Sequence, residues 1–172
     1  MLKTESVKSE TAQIPIIIIA DYYHANDAEA VVSLMNHYAL DKMGGSEALP
    51  ETVKTTLVTE LSKVPGAFTV LAMVDGKSAG LINCFMGFST FKAKPLINIH
   101  DVIVLAEYRG LKLSQLMLDE VERVARERGC CKLTLEVLQG NKVAQNAYVK
   151  FGFANYELDP EMGSAKFWQK AL

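Results

Sequence analysis

The chain reads as an α/β domain with interleaved strands and helices, and three stretches predict it. Residues 68–74 and 78–88 are apolar, strand-like runs joined by Asp75-Gly76, the residue pair that a tight hairpin favours. Residues 99–105 are rich in β-branched side chains and read as a buried strand. After Ala106-Glu107-Tyr108-Arg109-Gly110, the apolar positions become Leu113, Leu116, Met117, Val121, Val124 and Ala125, which lie on one face of a helix. Residues 132–138 set Leu133, Leu135 and Val137 against Lys132, Thr134 and Glu136, the alternation of a half-buried strand. A short helix over 142–150 follows it.

The remaining elements fall between these. Residues 1–13 are polar and are expected to form a loose tail, leaving 14–172 as a single domain. Residues 14–20 form a first strand. Asp21 to Asn26 is a polar turn, and Asn26 or Asp27 is suited to cap a helix carrying Ala30, Val31, Leu34, Met35 and Tyr38. Gly44-Gly45 punctuates the loop that begins at Asp41. Pro50 opens a second helix to about Lys63, with Val53, Leu57 and Leu61 at helical spacing, and Val64-Pro65-Gly66 stops it. Gly129 ends the helix that follows Gly110. Residues 154–158 and 165–171 are expected to form a closing hairpin. The order is therefore β, two helices, three strands, helix, strand, helix, two strands.

Composition narrows the function. The chain has 172 residues and a formal net charge of −2, with acids and bases interspersed, so no basic footprint points to nucleic acid. No apolar run reaches the roughly 18 residues needed to cross a bilayer, and 14–20 lacks a signal-peptide layout, so a cytoplasmic protein is expected. Cys84, Cys130 and Cys131 make neither a disulfide framework nor a metal quartet, and Cys130 and Cys131 read as core filling. No metal is expected.

The strand-to-helix turn around Gly110 is where chemistry is expected. It exposes unpaired backbone N–H groups at the positive end of a helix dipole, a site for an anion such as a phosphate. Neither G-x-G-x-x-G nor G-x-x-x-x-G-K-[ST] is present. Arg109-Gly110-Leu111-Lys112-Leu113-Ser114, preceded by Glu107-Tyr108, instead resembles the acyl-CoA-binding segment of the GNAT (Gcn5-related) N-acetyltransferases. That loop reads Arg/Gln-x-x-Gly-x-Gly/Ala after a strand. Lys112 stands where the first glycine is expected and Ser114 where the second is. Serine is small enough to let a pyrophosphate approach. A lysine either crowds it or swings out and adds a positive charge beside it.

Residues 141–153, NKVAQNAYVKFGF, resemble a second part of the same family, Asn-x-x-Ala-x-x-x-Tyr-x-Lys-x-Gly-Phe. The match falls at Asn141, Ala144, Tyr148, Lys150, Gly152 and Phe153. Read alone, Asn141 is a helix cap, and Tyr148, two turns later, is a half-buried aromatic on the same side. Two segments in the right order, separated by a helix and a strand, make the joint match specific.

The resemblance implies a mixed, mostly antiparallel central sheet with helices on both faces and a parallel pair splayed at the acyl-CoA site. It implies an acetyl-CoA-dependent N-acetyltransferase acting on a small primary amine, with the feel of the polyamine-type members, and a homodimer. Backbone groups of Val102, Ile103 and Val104 would hold the pantetheine and thioester carbonyl, and residues 109–115 (Arg109, Gly110, Leu111, Lys112, Leu113, Ser114 and Gln115) the pyrophosphate. Asn141 would bond the pantetheine arm and Tyr148 protonate the departing thiolate. Amine-acetylating members carry Glu-Asp before the same strand core, where the Glu acts as base through water; His100-Asp101 stand there in this chain. A neutral imidazole can take a proton near pH 7, so His100 or Asp101 is the candidate base. Adjacent strand residues point to opposite faces, so at most one of the two is expected to face the substrate. Asp41, Glu47, Glu51, Asp159 and Glu161 lie in loops expected to shape the acceptor site and favour a cation. Two other readings stay open: a regulatory acyl-CoA-binding domain with catalysis lost, suggested by Lys112 and the missing Glu, and acetylation of a protein or peptide amine.

Overall fold

The computed structural model describes residues 14–157, 159, 161, 163 and 165–172. Five strands form one sheet in the order β1-β2-β3-β4-β5: β1 (Ile16–Ile19), β2 (Phe68–Val74), β3 (Lys77–Ser89), β4 (Lys94–Val104) and β5 (Leu133–Leu135). The first four pair antiparallel, and β4 with β5 is the parallel pair. The expected mostly antiparallel sheet with one parallel pair is thus the observed one.

Helices α1 (Ala25–Leu40) and α2 (Glu51–Lys63) cover one face, where Ala30, Val31, Leu34, Val58 and Leu61 meet Leu71 and Leu81. Helices α3 (Leu113–Glu127) and α4 (Lys142–Phe151) cover the other, against Val70, Ala72, Val74, Ile82, Ile97 and Ile99. A short 3₁₀ turn, Ala106–Tyr108, joins β4 to α3. The side-chain alternation of the central strands feeds both cores, which is why they read as continuous apolar runs.

Helix α3 sits deepest. Leu113, Met117, Leu118, Val121, Val124 and Ala125 are all buried. Burying one large apolar side chain stabilises by about 1.5–3 kcal/mol, so the start of α3 is fixed firmly against the sheet. Gly80 lets it come close: a Cβ there would lie 2.7 Å from the Ile103 carbonyl oxygen and 3.1 Å from Met117 Cε.

Three expectations need correction. Helix α1 begins at Ala25 after His24, and neither Asn26 nor Asp27 caps it. Asp27 instead accepts the Asp21 N–H at 2.9 Å and faces His24 Nδ1 at 3.0 Å, tying the turn to the first helical turn. Strand β5 ends at Leu135, three residues before the expected Leu138, because Val137 and Leu138 have left the sheet and are exposed. The closing hairpin is absent among the described residues: 154–157 and 165–171 hold no strand, and Leu158 lies outside them. Phe167 and Trp168 are 76% and 83% exposed, so these residues do not pack onto the sheet as a closing strand would.

Candidate active site

Strands β4 and β5 stay together only over Ile97–Leu133, Asn98–Thr134 and Ile99–Leu135. Beyond Ile99, β4 runs on to Val104 with β3 on one side and an open edge on the other. The backbone parity of this open stretch is set by a bulge. Asn83 pairs with Asp101 while Cys84 pairs with Ile99, so His100 is an extra residue on β4. Ile97 N–H points to β5, bonding the Lys132 carbonyl at 3.2 Å, whereas Leu105 N–H points to β3, bonding Ala79 at 2.9 Å. Strict alternation from Ile97 would aim Leu105 at β5, so the bulge has reversed the parity. Val102 and Val104 therefore aim their N–H groups at the open edge, and Ile103 aims its own at β3.

The bulge also corrects the expectation about His100 and Asp101. Both project to the α1 side of the sheet. The His100 ring meets Phe85 edge-on at 5.4 Å between centroids, and the Asp101 carboxylate accepts from Asn83 Nδ2 at 3.0 Å. Phe85 and Asn83 are two residues apart on β3 and share that face, where Asn83 also touches Met35 Sδ of α1. One extra residue in a strand removes the opposition that regular pleating imposes on neighbours. His100 is exposed and Asp101 half-buried, so neither is a core residue.

At the end of the open edge the chain enters the turn before α3. Gly110 (φ +89°) and Lys112 (φ +58°) both adopt left-handed backbone. Lys112 is the residue preceding α3 and is exposed, with no side-chain cap. The N–H groups of Leu113, Ser114 and Gln115 find no acceptor among the described residues, as the first turn of a helix dictates. Arg109 is exposed beside them, and Leu111 packs back onto the core. Such an arrangement of backbone donors can cradle an anion, and a glycine would suit the position of Lys112 for conformational reasons.

Helix α4 carries the other two residues expected at the site, Asn141 and Tyr148. Asn141 caps it, its Oδ1 accepting the Ala144 N–H at 3.1 Å, and its amide nitrogen has no partner among the described residues. Tyr148 is buried, edge-on to Phe153 at 5.9 Å. Its hydroxyl makes no hydrogen bond among the described residues, yet is not a buried unpaired atom, so it opens to water. Burial pushes the Tyr148 phenol up to about 12, and the Tyr38 phenol adds to the rise. Tyr38, on α1, is itself held above its ordinary value by burial first and then by the charges of Asp101 and Asp41. Tyr38 and Tyr148 thus come within electrostatic reach from helices on opposite faces. In the sequence Tyr38 is one more residue on the stripe of Ala30, Val31, Leu34 and Met35, and only its place one turn before Asp41, at the end of α1, hints at more.

The loop acids divide. Asp41 acts on Tyr38, whereas Glu51 is committed to Lys54 at 2.8 Å. A cavity of about 530 Å³ between α1 and α2, lined by Tyr22, Val32, Asn36, Lys54 and Val58 among others, contains none of the predicted site residues. No helix among the described residues is long and apolar enough to cross a membrane.

Comparison with known proteins gives the family and the fold. The model of the Acetyltransferase (GNAT) family matches residues 31–153. A thialysine N-epsilon-acetyltransferase of Bos taurus is 35% identical over 68 residues, 40% of this chain and 39% of that protein. A streptothricin acetyltransferase of Streptomyces lavendulae is 32% identical over 100 residues, 57% of this chain and 51% of that protein. The chain thus matches about half, or less, of the length of these relatives. Among solved structures, an aminoglycoside N-acetyltransferase in complex with CoA superposes with a TM-score of 0.74 at 15% identity, over 96% of this chain and 100% of the other. That likeness establishes the shared fold.

Proposed function

The chain belongs to the acetyltransferase (GNAT) family, and from that premise we propose that it moves the acetyl group of acetyl-CoA to a primary amine of a small molecule by direct attack. The observation that carries the reading is the run of unpaired donors from the open edge of β4 to the first turn of α3. An extended chain lying along that edge meets the Val102 and Val104 N–H groups, and a pyrophosphate at its far end meets Leu113, Ser114 and Gln115. Arg109 and Lys112 add positive charge, Gly110 and Leu111 shape the turn, and the Asn141 amide, left free by the cap at the start of α4, would bond the pantetheine arm.

An alkylammonium loses its proton near pH ~10, so a base must take it before the nitrogen can attack. The exposed His100 imidazole, or Asp101 beside it on the same face, provides the route. The amine nitrogen then forms its bond to the thioester carbon, and backbone N–H groups of β4 stabilise the oxyanion. As the C–S bond breaks, the sulfur takes a proton from Tyr148, which burial keeps protonated throughout the physiological range. The cysteines have no part in this: Cys84 is buried, and burial raises its thiol far above the ordinary range. The negative charges around Tyr38 favour a cationic acceptor, as thialysine, streptothricin and aminoglycosides are. The working form we propose is a cytoplasmic homodimer, to be checked by light scattering in solution.

The test is thiol release from acetyl-CoA with thialysine, spermidine, an aminoglycoside and streptothricin as acceptors. At least one should release CoA in proportion to amine acetylated. CoA alone should raise the melting temperature, since a ligand specific to the native state stabilises it. Binding of CoA without turnover of any amine would leave a regulatory acyl-CoA binder. Absence of any CoA effect at millimolar concentration sinks the reading altogether.

A further inference from the structure

A line of polar side chains crosses the sheet beneath the α1 face, from β2 to β4. Thr69 and Asn83 are 0% and 3% exposed, two of the three buried polar residues among those described, and they lie among Val70, Leu71, Leu81 and Ile82. Burying an amide and a hydroxyl in such a place is costly unless every donor and acceptor is met. Here every one is met. The Thr69 hydroxyl donates to Asn83 Oδ1 at 2.6 Å. Its single proton is then spent, so in the 2.8 Å contact with Tyr22 the Tyr22 hydroxyl is the donor. The Asn83 amide nitrogen gives one hydrogen to Asp101 Oδ2 at 3.0 Å and turns the other to Met35 Sδ at 3.2 Å.

The chain of bonds therefore runs one way, Tyr22 to Thr69 to Asn83 to Asp101, each link donating toward the carboxylate. It also fixes the Asn83 amide, because only one face of it offers an oxygen to Thr69. Asp101 Oδ2 is held from below, while Oδ1 has no partner among the described residues. An amide in the line conducts no proton, so the line orients Asp101 and holds it as an acceptor of hydrogens.

We propose that Thr69 and Asn83 are positioning residues that hold Asp101, through this buried one-way chain of hydrogen bonds, with its free oxygen presented to the ammonium group of the acceptor. In this arrangement Asp101 anchors the incoming amine and His100, beside it in the bulge, takes the proton. The inference rests on the acetyltransferase reading of the same site, and of the two candidate bases left open there it gives the proton to His100 and the anchoring of the amine to Asp101.

The test uses acetyl-CoA and thialysine with Asn83→Leu, Thr69→Val and Thr69→Ser, alone and in an Asp101→Ala background. Asn83→Leu and Thr69→Val should each raise the KM for thialysine about tenfold, with the acetyl-CoA KM changed less than about twofold. Thr69→Ser, which keeps the hydroxyl, should restore the wild-type value. Placed in Asp101→Ala, Asn83→Leu should cost no further affinity for the amine, because the group it positions is gone. A purely structural role is recognised by equal losses with and without Asp101, or by parallel changes in both KM values, and either result overturns the proposal. Should Asn83→Leu fail to fold, the Thr69 pair carries the same comparison. If the wild-type protein releases no CoA with any amine, the functional reading and this inference fall together; if it does and the variants match it, this inference alone falls.

Discussion

Lys112 gives the sharpest test of the anion cradle, because one substitution should move stability and affinity in opposite directions. Its backbone is left-handed, φ +58° and ψ 23°, which costs an L side chain about 1–2 kcal/mol. Glycine removes that strain but loosens the unfolded chain by about 0.4–1 kcal/mol. Taking a cation from the positive end of the α3 dipole returns about 0.3 kcal/mol more. Lys112→Gly should therefore stabilise the ligand-free protein by about 1 kcal/mol, which raises Tm by about 2–4 °C in a chain of this size. Affinity should go the other way. An exposed ammonium beside a pyrophosphate contributes about 1.4 kcal/mol once screening is allowed for, so CoA should bind about tenfold more weakly. Lys112→Ala separates the two effects, since it keeps Cβ and the strain but loses the charge: Tm should barely move and affinity should fall as in Lys112→Gly. Calorimetric melting without ligand and titration with CoA, at low and at high salt, measure both quantities. Tighter CoA binding by Lys112→Gly would show that the side chain crowds the cradle, and a lower Tm would show that the left-handed turn is not strained.

Other predictions concern the remaining walls. Tyr148→Phe should lower turnover by about 10²–10⁴-fold in steady-state assays and leave CoA affinity nearly unchanged, because in the proposed mechanism the missing hydroxyl acts only on the departing sulfur. The same variant should change the alkaline stability curve: Tyr148 rises from 10 in the unfolded chain to about 12, so the stability it adds is complete below pH 10 and lost as pH climbs through 12. Denaturant melts between pH 9 and 12 should fall less steeply for Tyr148→Phe than for wild type. His100→Ala should depress kcat/KM most at low pH, where the acceptor is almost all ammonium, and converge with wild type at high pH; parallel profiles remove His100 from the proton route. Because the His100 ring is exposed, its loss should cost under about 1 kcal/mol in the same melts. Gly80→Ala, whose Cβ meets the Ile103 carbonyl, should destabilise by about 1–3 kcal/mol in thermal unfolding and weaken CoA binding through a displaced α3.

Much of this arrangement was legible in the residues. The period change between β4 and α3, the Asp75-Gly76 turn and the Asn141 cap each rest on local chemistry, and each stands where local chemistry put it. What escaped depends on partners distant in the chain. Nothing in Ile99-His100-Asp101 announces a bulge, because the extra residue exists only relative to β3. Tyr38 reads as one more aromatic on a helix until Asp101 and Tyr148 arrive beside it. Thr69 and Asn83 interrupt apolar runs without breaking their period, so their polarity looks incidental in sequence and acquires meaning only when the two strands lie side by side. The expected hairpin strand around Phe167 and Trp168 erred in the other direction, since those side chains stay exposed and a local run of residues does not say what it would pair with.

The brevity of β5 has a consequence for the life of the free protein. Past Ile99, β4 leaves an edge open with Val102 and Val104 on it, and an open apolar edge invites any extended chain to dock. Here the invitation is narrow: β5 closes one end and the first turn of α3 the other, so the slot admits a single slim strand a few residues long. The acyl carrier proposed for it would act as a temporary sixth strand, completing the sheet's hydrogen bonding as well as supplying a reactive group. The amides of Val102 and Val104 should accordingly exchange with deuterium quickly in the empty protein and slowly once CoA is bound. Empty, the slot is an unpaired strand edge that another chain can join, and a bound acyl carrier would shield it.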